Sequence, residues 1–212
     1  MKDNLTEIVF ILDESGSMWH LADDTIGGFN SYVEEQRKQP GEALLTTVAF
    51  NTNYRVLHNH VNIKDVKPLT NKDYEPCGGT ALFDAVGNTI NSVGNRLANT
   101  PESERPSKVI VVITTDGQEN SSHEYNREQI QQMVKHQQEK YSWEFVFIGA
   151  GIDGYAEAER IGIGGIRAMS VTADKTGSNN LFKSVTFATN SVRQGVTLDS
   201  LGEQWKTGDV GK

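Results

Sequence analysis

Asp13, Ser15 and Ser17 fall at alternate positions in Ile8-Val-Phe-Ile-Leu-Asp-Glu-Ser-Gly-Ser17, with Gly16 between the serines. One carboxylate and two hydroxyls this close, in a bend that a glycine permits, present hard oxygen donors to a small cation such as Mg²⁺, which prefers octahedral oxygen coordination. Two other segments carry compatible groups: Thr80 in Cys77-Gly-Gly-Thr80 and Asp116 in Thr114-Thr-Asp-Gly117. If the fold brings the three segments to one crevice, oxygen donors from separate parts of the chain make one site.

Hydrophobic spacing indicates the elements that would position them. Ile8 to Leu12 reads as a buried strand opening into the Asp13 loop, and Lys108 to Ile113 repeats the theme, ending in Asp116-Gly117. Helical spacing covers 19–38, with Gly27-Gly28 a weak point or a place of close packing and Pro40-Gly41 as the stop. Residues 43–51 and 54–58 read as an antiparallel hairpin turning at Asn51-Thr-Asn53. From Thr80 the pattern is helical again, through Leu82, Ala85, Val86, Ile90, Val93 and Leu97, which puts the Thr80 hydroxyl at a helix start. Further helices are expected over 126–140, 155–161 and 181–192, and strands over 143–148 and 166–171. Strands alternating with helices imply an α/β fold, doubly wound, with a mostly parallel sheet covered on both faces. Ligands in such sheets bind beyond the strand ends where the strand order reverses. The Asp13 and Asp116 strands are expected to flank that reversal.

Composition narrows the function classes. A formal charge of −8 argues against a nucleic-acid partner, because phosphate binding needs a basic face that no run of this chain supplies. The longest apolar runs, 8–12 and 109–113, are far too short to cross a bilayer, so no membrane partner is expected. The amino terminus lacks the pattern of a signal peptide, and the single cysteine, Cys77, suits a reducing compartment, so a cytoplasmic location is expected. The 212 residues fit one domain over 1–196, and the polar, glycine-bearing segment 197–212 is expected to be a loosely packed C-terminal tail.

Three motifs together resemble the von Willebrand factor type A (VWA) domain family. Asp13-Glu-Ser15-Gly-Ser17 fits its Asp-x-Ser-x-Ser signature, Gly78-Gly-Thr80-Ala-Leu its threonine loop, and Thr115-Asp116-Gly117 its distal aspartate. The resemblance covers roughly residues 5–195 and implies a Rossmann-like sheet of about six strands with one short antiparallel edge strand. It also implies an intact metal-ion-dependent adhesion site (MIDAS). Ser15 and Ser17 would ligate Mg²⁺ directly, Thr80 directly or through water, and Asp13 and Asp116 would hold coordinated waters. The same ligands accept Mn²⁺ or Ca²⁺. The implied function is a protein-binding module, not an enzyme, in which the cation engages a glutamate or aspartate of a partner within an intracellular assembly.

Competing patterns are present. Gly149-Ala-Gly151-Ile-Asp-Gly154 fits the G-x-G-x-x-G pattern for dinucleotides, but it follows the fifth strand, not the first, and no acidic residue ends the next strand. A strand-end aspartate with Mg²⁺ also begins aspartate-nucleophile phosphoryl transfer. Ser15 stands where those enzymes carry a second carboxylate, and the three motif loops hold no lysine. Glu14 and Glu119 are expected to be solvated, and Cys77 to be a buried free thiol. His58 and His60, two apart on a strand, should share a face, while Trp19, Tyr32 and Tyr125 are candidates for an aromatic contact near the crevice.

Overall fold

The computed structural model describes residues 1–207. Six strands, β1 (Lys2–Asp13), β2 (Glu42–Phe50), β3 (Tyr54–Asn62), β4 (Pro106–Thr115), β5 (Glu144–Ala150) and β6 (Ala168–Val171), form one sheet in the order β3-β2-β1-β4-β5-β6. Every pairing is parallel except the β2–β3 hairpin, which makes β3 an antiparallel edge. The chain builds outward from β1 on one side and returns to β4 on the other, so the order reverses between β1 and β4. That places the ends of the Asp13 and Asp116 strands side by side, as expected.

The helices are α1 (Ala22–Lys38), α2 (Leu82–Asn99), α3 (Arg127–Tyr141), α4 (Gly154–Arg160), α5 (Lys175–Arg193) and α6 (Leu198–Leu201). Alternation along the strands decides which face each residue fills. Ile8, Phe10, Leu12, Ile110, Val112, Val146 and Ile148 pack towards α1 and α5. Val9, Ile11, Val111, Ile113, Phe145 and Phe147 pack towards α2, α3 and α4. Each such side chain contributes roughly 1.5–3 kcal/mol on burial, so the central strands form a stiff platform for the loops at their ends. Of the Gly27-Gly28 pair, Gly28 serves close packing: a Cβ there would lie 2.0 Å from the Phe182 ring of α5, whereas one on Gly27 would meet nothing within 4 Å.

Several expectations are corrected. Residues 16–21 form a 3-10 turn and α1 begins at Ala22, because Met18 and Leu21 must fold back onto Ala150. β3 runs four residues past the expected end, and a register irregularity opposite it accompanies His60 at φ 56°. That bulge sends the two histidines to different sides. His58 stacks on Phe29 of α1, whereas His60 meets Glu7, which is also bound by Arg96 of α2. The loosely packed tail is not seen over 198–207. Leu198 and Trp205 are fully buried, Trp205 Nε1 donates to Ile166 O at 2.8 Å, and Asp199 pairs with Arg167 at 2.7 Å. Residues 208–212 of that expectation lie outside the described residues.

Candidate metal centre

Asp13 closes β1, and its side chain is 0% exposed. Both carboxylate oxygens are engaged: Ser15 N–H donates to Oδ1 at 2.7 Å, and the Thr115 hydroxyl at the end of β4 donates to Oδ2. The Ser15 contact bends the chain just past the strand, an Asx-type turn that brings Ser15 and Ser17 to the same side. Their Oγ atoms lie 3.1 Å apart, and Ser17 Oγ donates to Asp116 Oδ1 at 2.6 Å.

The threonine loop docks on this turn through backbone bonds. Gly16 N–H donates to Gly78 O at 3.0 Å and Cys77 N–H to Glu14 O at 2.9 Å. Gly78 adopts φ 72°, a conformation that glycine takes without strain. Thr80 is 2% exposed; its N–H is held by Asn120 Oδ1 at 2.9 Å, but its hydroxyl has no partner among the described residues. A Cβ on Gly117 would lie 2.9 Å from Thr80 Oγ1 and 3.7 Å from Ser17 Oγ, which locates the hydroxyl in the crevice and explains a glycine after Asp116. Asp13, Ser15, Ser17, Thr80 and Asp116 therefore converge on one crevice, with Thr115, Gly78, Gly117 and Asn120 holding them there.

Among the described residues no lysine or arginine pairs with either crevice carboxylate. Burial pushes the Asp13 carboxyl up to about 6, against the hydrogen bonds from Thr115 and Ser15, and the Asp116 charge pushes the same way. Burial also raises Asp116, opposed by Ser17 and by His20. Arg55, the guanidinium near this loop, is committed to Glu14 at 2.7 Å. Two carboxylates and three hydroxyls, that of Thr80 without a partner among the described residues, make a hard oxygen donor set that fits a divalent cation. Among the described residues no group of three His, Cys, Asp or Glu side chains is placed to hold a metal, so this hydroxyl-rich crevice is the candidate.

Some neighbours were not foreseeable from spacing. Glu14 is 2% exposed, not solvated: it takes Arg55 and the Glu75 N–H, pinning the threonine loop. Glu119 caps α2, accepting from the Phe83 N–H at 2.9 Å and from the Ser121 and Ser122 N–H groups. Cys77 is exposed, not buried. Of the aromatic candidates, Tyr32 is buried with its hydroxyl on Thr189, Tyr125 is half-buried over α2, and Trp19 is 74% exposed. Partners more than forty residues away set the outcomes for Glu14 and Tyr32; the one local signal was the position of Glu119 three residues after Asp116.

The Gly149–Gly154 loop has a structural explanation. A Cβ on Gly149 would meet Gly154 Cα at 2.7 Å, and one on Gly154 would meet Met169 O at 2.4 Å. Asp153 occupies the start of α4 itself, accepting from Ala156 N–H at 3.1 Å. Its carboxylate stands where a dinucleotide phosphate would need to approach.

A doubly wound α/β sheet with an oxygen-lined crevice at its switch point defines the architectural class. The chain belongs to the von Willebrand factor type A domain family, whose model matches residues 7–194. Similar solved structures include proximal thread matrix protein 1 from the mussel byssus, described with a zinc-occupied MIDAS motif (19% identity, TM-score 0.59, covering 85% of this chain and 44% of that one). They also include the ArnB paralog VWA2 from Sulfolobus acidocaldarius (16% identity, TM-score 0.54, 85% of this chain and 45% of that one). A von Willebrand factor type A protein from Catenulispora acidiphila aligns as well (13% identity, TM-score 0.56, 88% of this chain and 42% of that one). At these identities the likeness shows the fold, and this chain spans less than half of each of those chains. No curated protein sequence matches. Among the described residues no helix is long and apolar enough to cross a membrane.

Proposed function

We propose that the chain is a metal-dependent protein-binding module. Ser15, Ser17 and Thr80 offer hydroxyl oxygens to a divalent cation, Mg²⁺ by preference and Mn²⁺ or Ca²⁺ by the same donors, while Asp13 and Asp116 hold its hydration. The observation that carries this reading is the Thr80 hydroxyl, which has no protein partner among the described residues and lines the same crevice as Ser17 and its acceptor Asp116. When bound, the cation supplies a positive charge quenched mainly by neutral oxygens, and so attracts a glutamate or aspartate of a partner. The chain's own residues do the positioning. Ser15 N–H and Thr115 fix the Asp13 carboxylate, the Gly16–Gly78 bond fixes the threonine loop, and Asn120 fixes the Thr80 backbone.

Domains of this family are generally non-enzymatic interaction modules. The geometry gives little support to phosphoryl transfer: Asp13 is fully buried with both oxygens engaged, a poor posture for a nucleophile, and no lysine stands in the three loops to neutralise a phosphoryl group. The exposed Cys77 thiol suits a reducing compartment, so we assign the module to a cytoplasmic assembly or adaptor, with residues 1–196 as one domain onto which 198–207 pack. Calorimetric titration of Mg²⁺ and Mn²⁺ tests the reading. Wild type should bind one ion, and Asp13→Ala and Thr80→Ala should each lose binding by tenfold or more. Equal binding by all three proteins would remove the site.

A further inference from the structure

Trp19 is 74% exposed, whereas Trp143 and Trp205 are 5% and 0% exposed. It lies two residues after Ser17 in the 3-10 turn Gly16–Leu21, and that turn is firmly anchored on either side of it. Met18 and Leu21 are buried against Ala150, and the His20 ring lies 2.9 Å from Ser17 O and 3.3 Å from Ala173 O. The indole is thus held out from a fixed base at the edge of the crevice. A large aromatic presented this way beside a polar socket is the usual make-up of an interface anchor.

The surrounding rim is acidic. The His20–Ala173 contact brings the loop carrying Asp174 against the metal turn, and Gly151 N–H, donating to Val171 O at 2.8 Å, brings in the loop carrying Asp153. Glu75 is joined through its N–H to Glu14. All three carboxylates are exposed; of the basic side chains near them, Arg55 is paired with Glu14, which leaves Lys72 and Lys175 set against them. A partner carboxylate reaching the cation therefore crosses a face that otherwise repels it, within the ~8 Å over which charges act at physiological salt. Basic residues flanking that carboxylate would cancel the repulsion.

We infer that the occupant of this surface is a protein segment of mixed chemistry: a glutamate or aspartate for the cation, a neighbouring large apolar side chain laid on Trp19, and lysine or arginine beyond it. This rests on the metal reading above. It adds Trp19 as the residue that sets specificity and the rim acids as the filter against purely acidic segments.

The test is a displayed library of nine-residue peptides with a fixed central glutamate, captured on the full chain in Mg²⁺ and released by chelator. Wild type should enrich leucine or aromatic residues near the glutamate and lysine or arginine further out. Trp19→Ser should still capture glutamate peptides in Mg²⁺ but lose the apolar preference and weaken the best peptide tenfold or more, while Trp19→Phe should restore most of the loss. Identical enrichment by wild type and Trp19→Ser, acidic flanks, or no enrichment with calorimetry showing a bound ion would each overturn the inference and leave the metal reading standing. Absence of ion binding in calorimetry would instead remove the metal reading and the inference with it. Chelator-sensitive dimerisation of the chain alone in sedimentation would make a second copy the occupant and would also overturn it.

Discussion

Two glycine-bearing loops leave parallel strands of this sheet, and they differ in what they leave unsatisfied. At the end of β5, the Gly149–Gly154 loop spends its polar groups internally: Gly154 N–H goes to Ser170 Oγ at 3.0 Å and Asp153 caps α4. Its glycines are required where the backbone passes Met169 O. At the end of β1, the Asp13 loop leaves Thr80 Oγ1 unpartnered and two carboxylates pushed upward by burial. Both loops fit a ligand-binding pattern as strings of letters, but one has balanced its own polar groups and the other has not. Two carboxylates raised by burial and an unpartnered hydroxyl facing one crevice suit a cation, so the unbalanced loop is where a ligand is expected.

Substitutions can break this contrast, and the largest effect should fall on the balanced loop. Gly154→Val forces a side chain into Met169 O and Gly149, with no flexible neighbour to yield. It should cost about 3–5 kcal/mol in denaturant unfolding, or prevent folding. A loss under about 1 kcal/mol would mean that the loop has room to spare and the packing explanation fails.

Next comes the charge buried at Asp13. Its folded-state value near 6 lies above the 3.8 of a free aspartate, so the folded chain holds this proton more tightly than the unfolded chain. Stability without metal should therefore fall as pH rises through the window from about 4 to about 6. An asparagine side chain at this position keeps the bonds: its Oδ1 still takes Ser15 N–H, and the amide can donate to Thr115 Oγ1, whose hydrogen turns to Gly117 O at 3.0 Å. In chelator, Asp13→Asn should equal wild type near pH 4 and exceed it by about 3 kcal/mol at pH 7. Parallel pH profiles for the two proteins would show that no charge is stored there.

Smaller effects concern the supports. Glu119→Ala removes the acceptor for three N–H groups at the start of α2 and the 118–122 loop, and should cost about 1–2 kcal/mol in thermal unfolding while weakening metal binding only indirectly. Asp153→Ala should cost about 1 kcal/mol or less and leave ion titrations unchanged. If it altered metal binding, the two loops would not be independent.

The sheet was legible because β1, β4 and β5 are short continuous apolar runs bounded by turn residues, the mark of strands buried on both faces. The meeting of Asp13, Ser15, Ser17, Thr80 and Asp116 was legible because each lies at a strand end or helix start, where topology alone decides what meets. Glu14 and Arg55 were not, since an ion pair spanning 41 positions is set by the hairpin docking beside β1. Nor was Trp205, whose burial depends on Ile166 and α5 closing over a segment that reads as polar tail. His60 was misplaced because a period of two assumes an unbroken strand, and one residue at φ 56° reverses the faces of the residues beyond it.

The central proposal is that the Asp13 crevice takes a divalent cation. It is tested most directly by following the melting temperature of wild type and Asp13→Asn at pH 7 as Mg²⁺ is added to chelated protein. Binding to the folded chain alone must stabilise it, so wild type should start lower and rise steadily with Mg²⁺, while Asp13→Asn should start higher and stay flat. Equal rises in both proteins, or a flat response from wild type, would contradict the account.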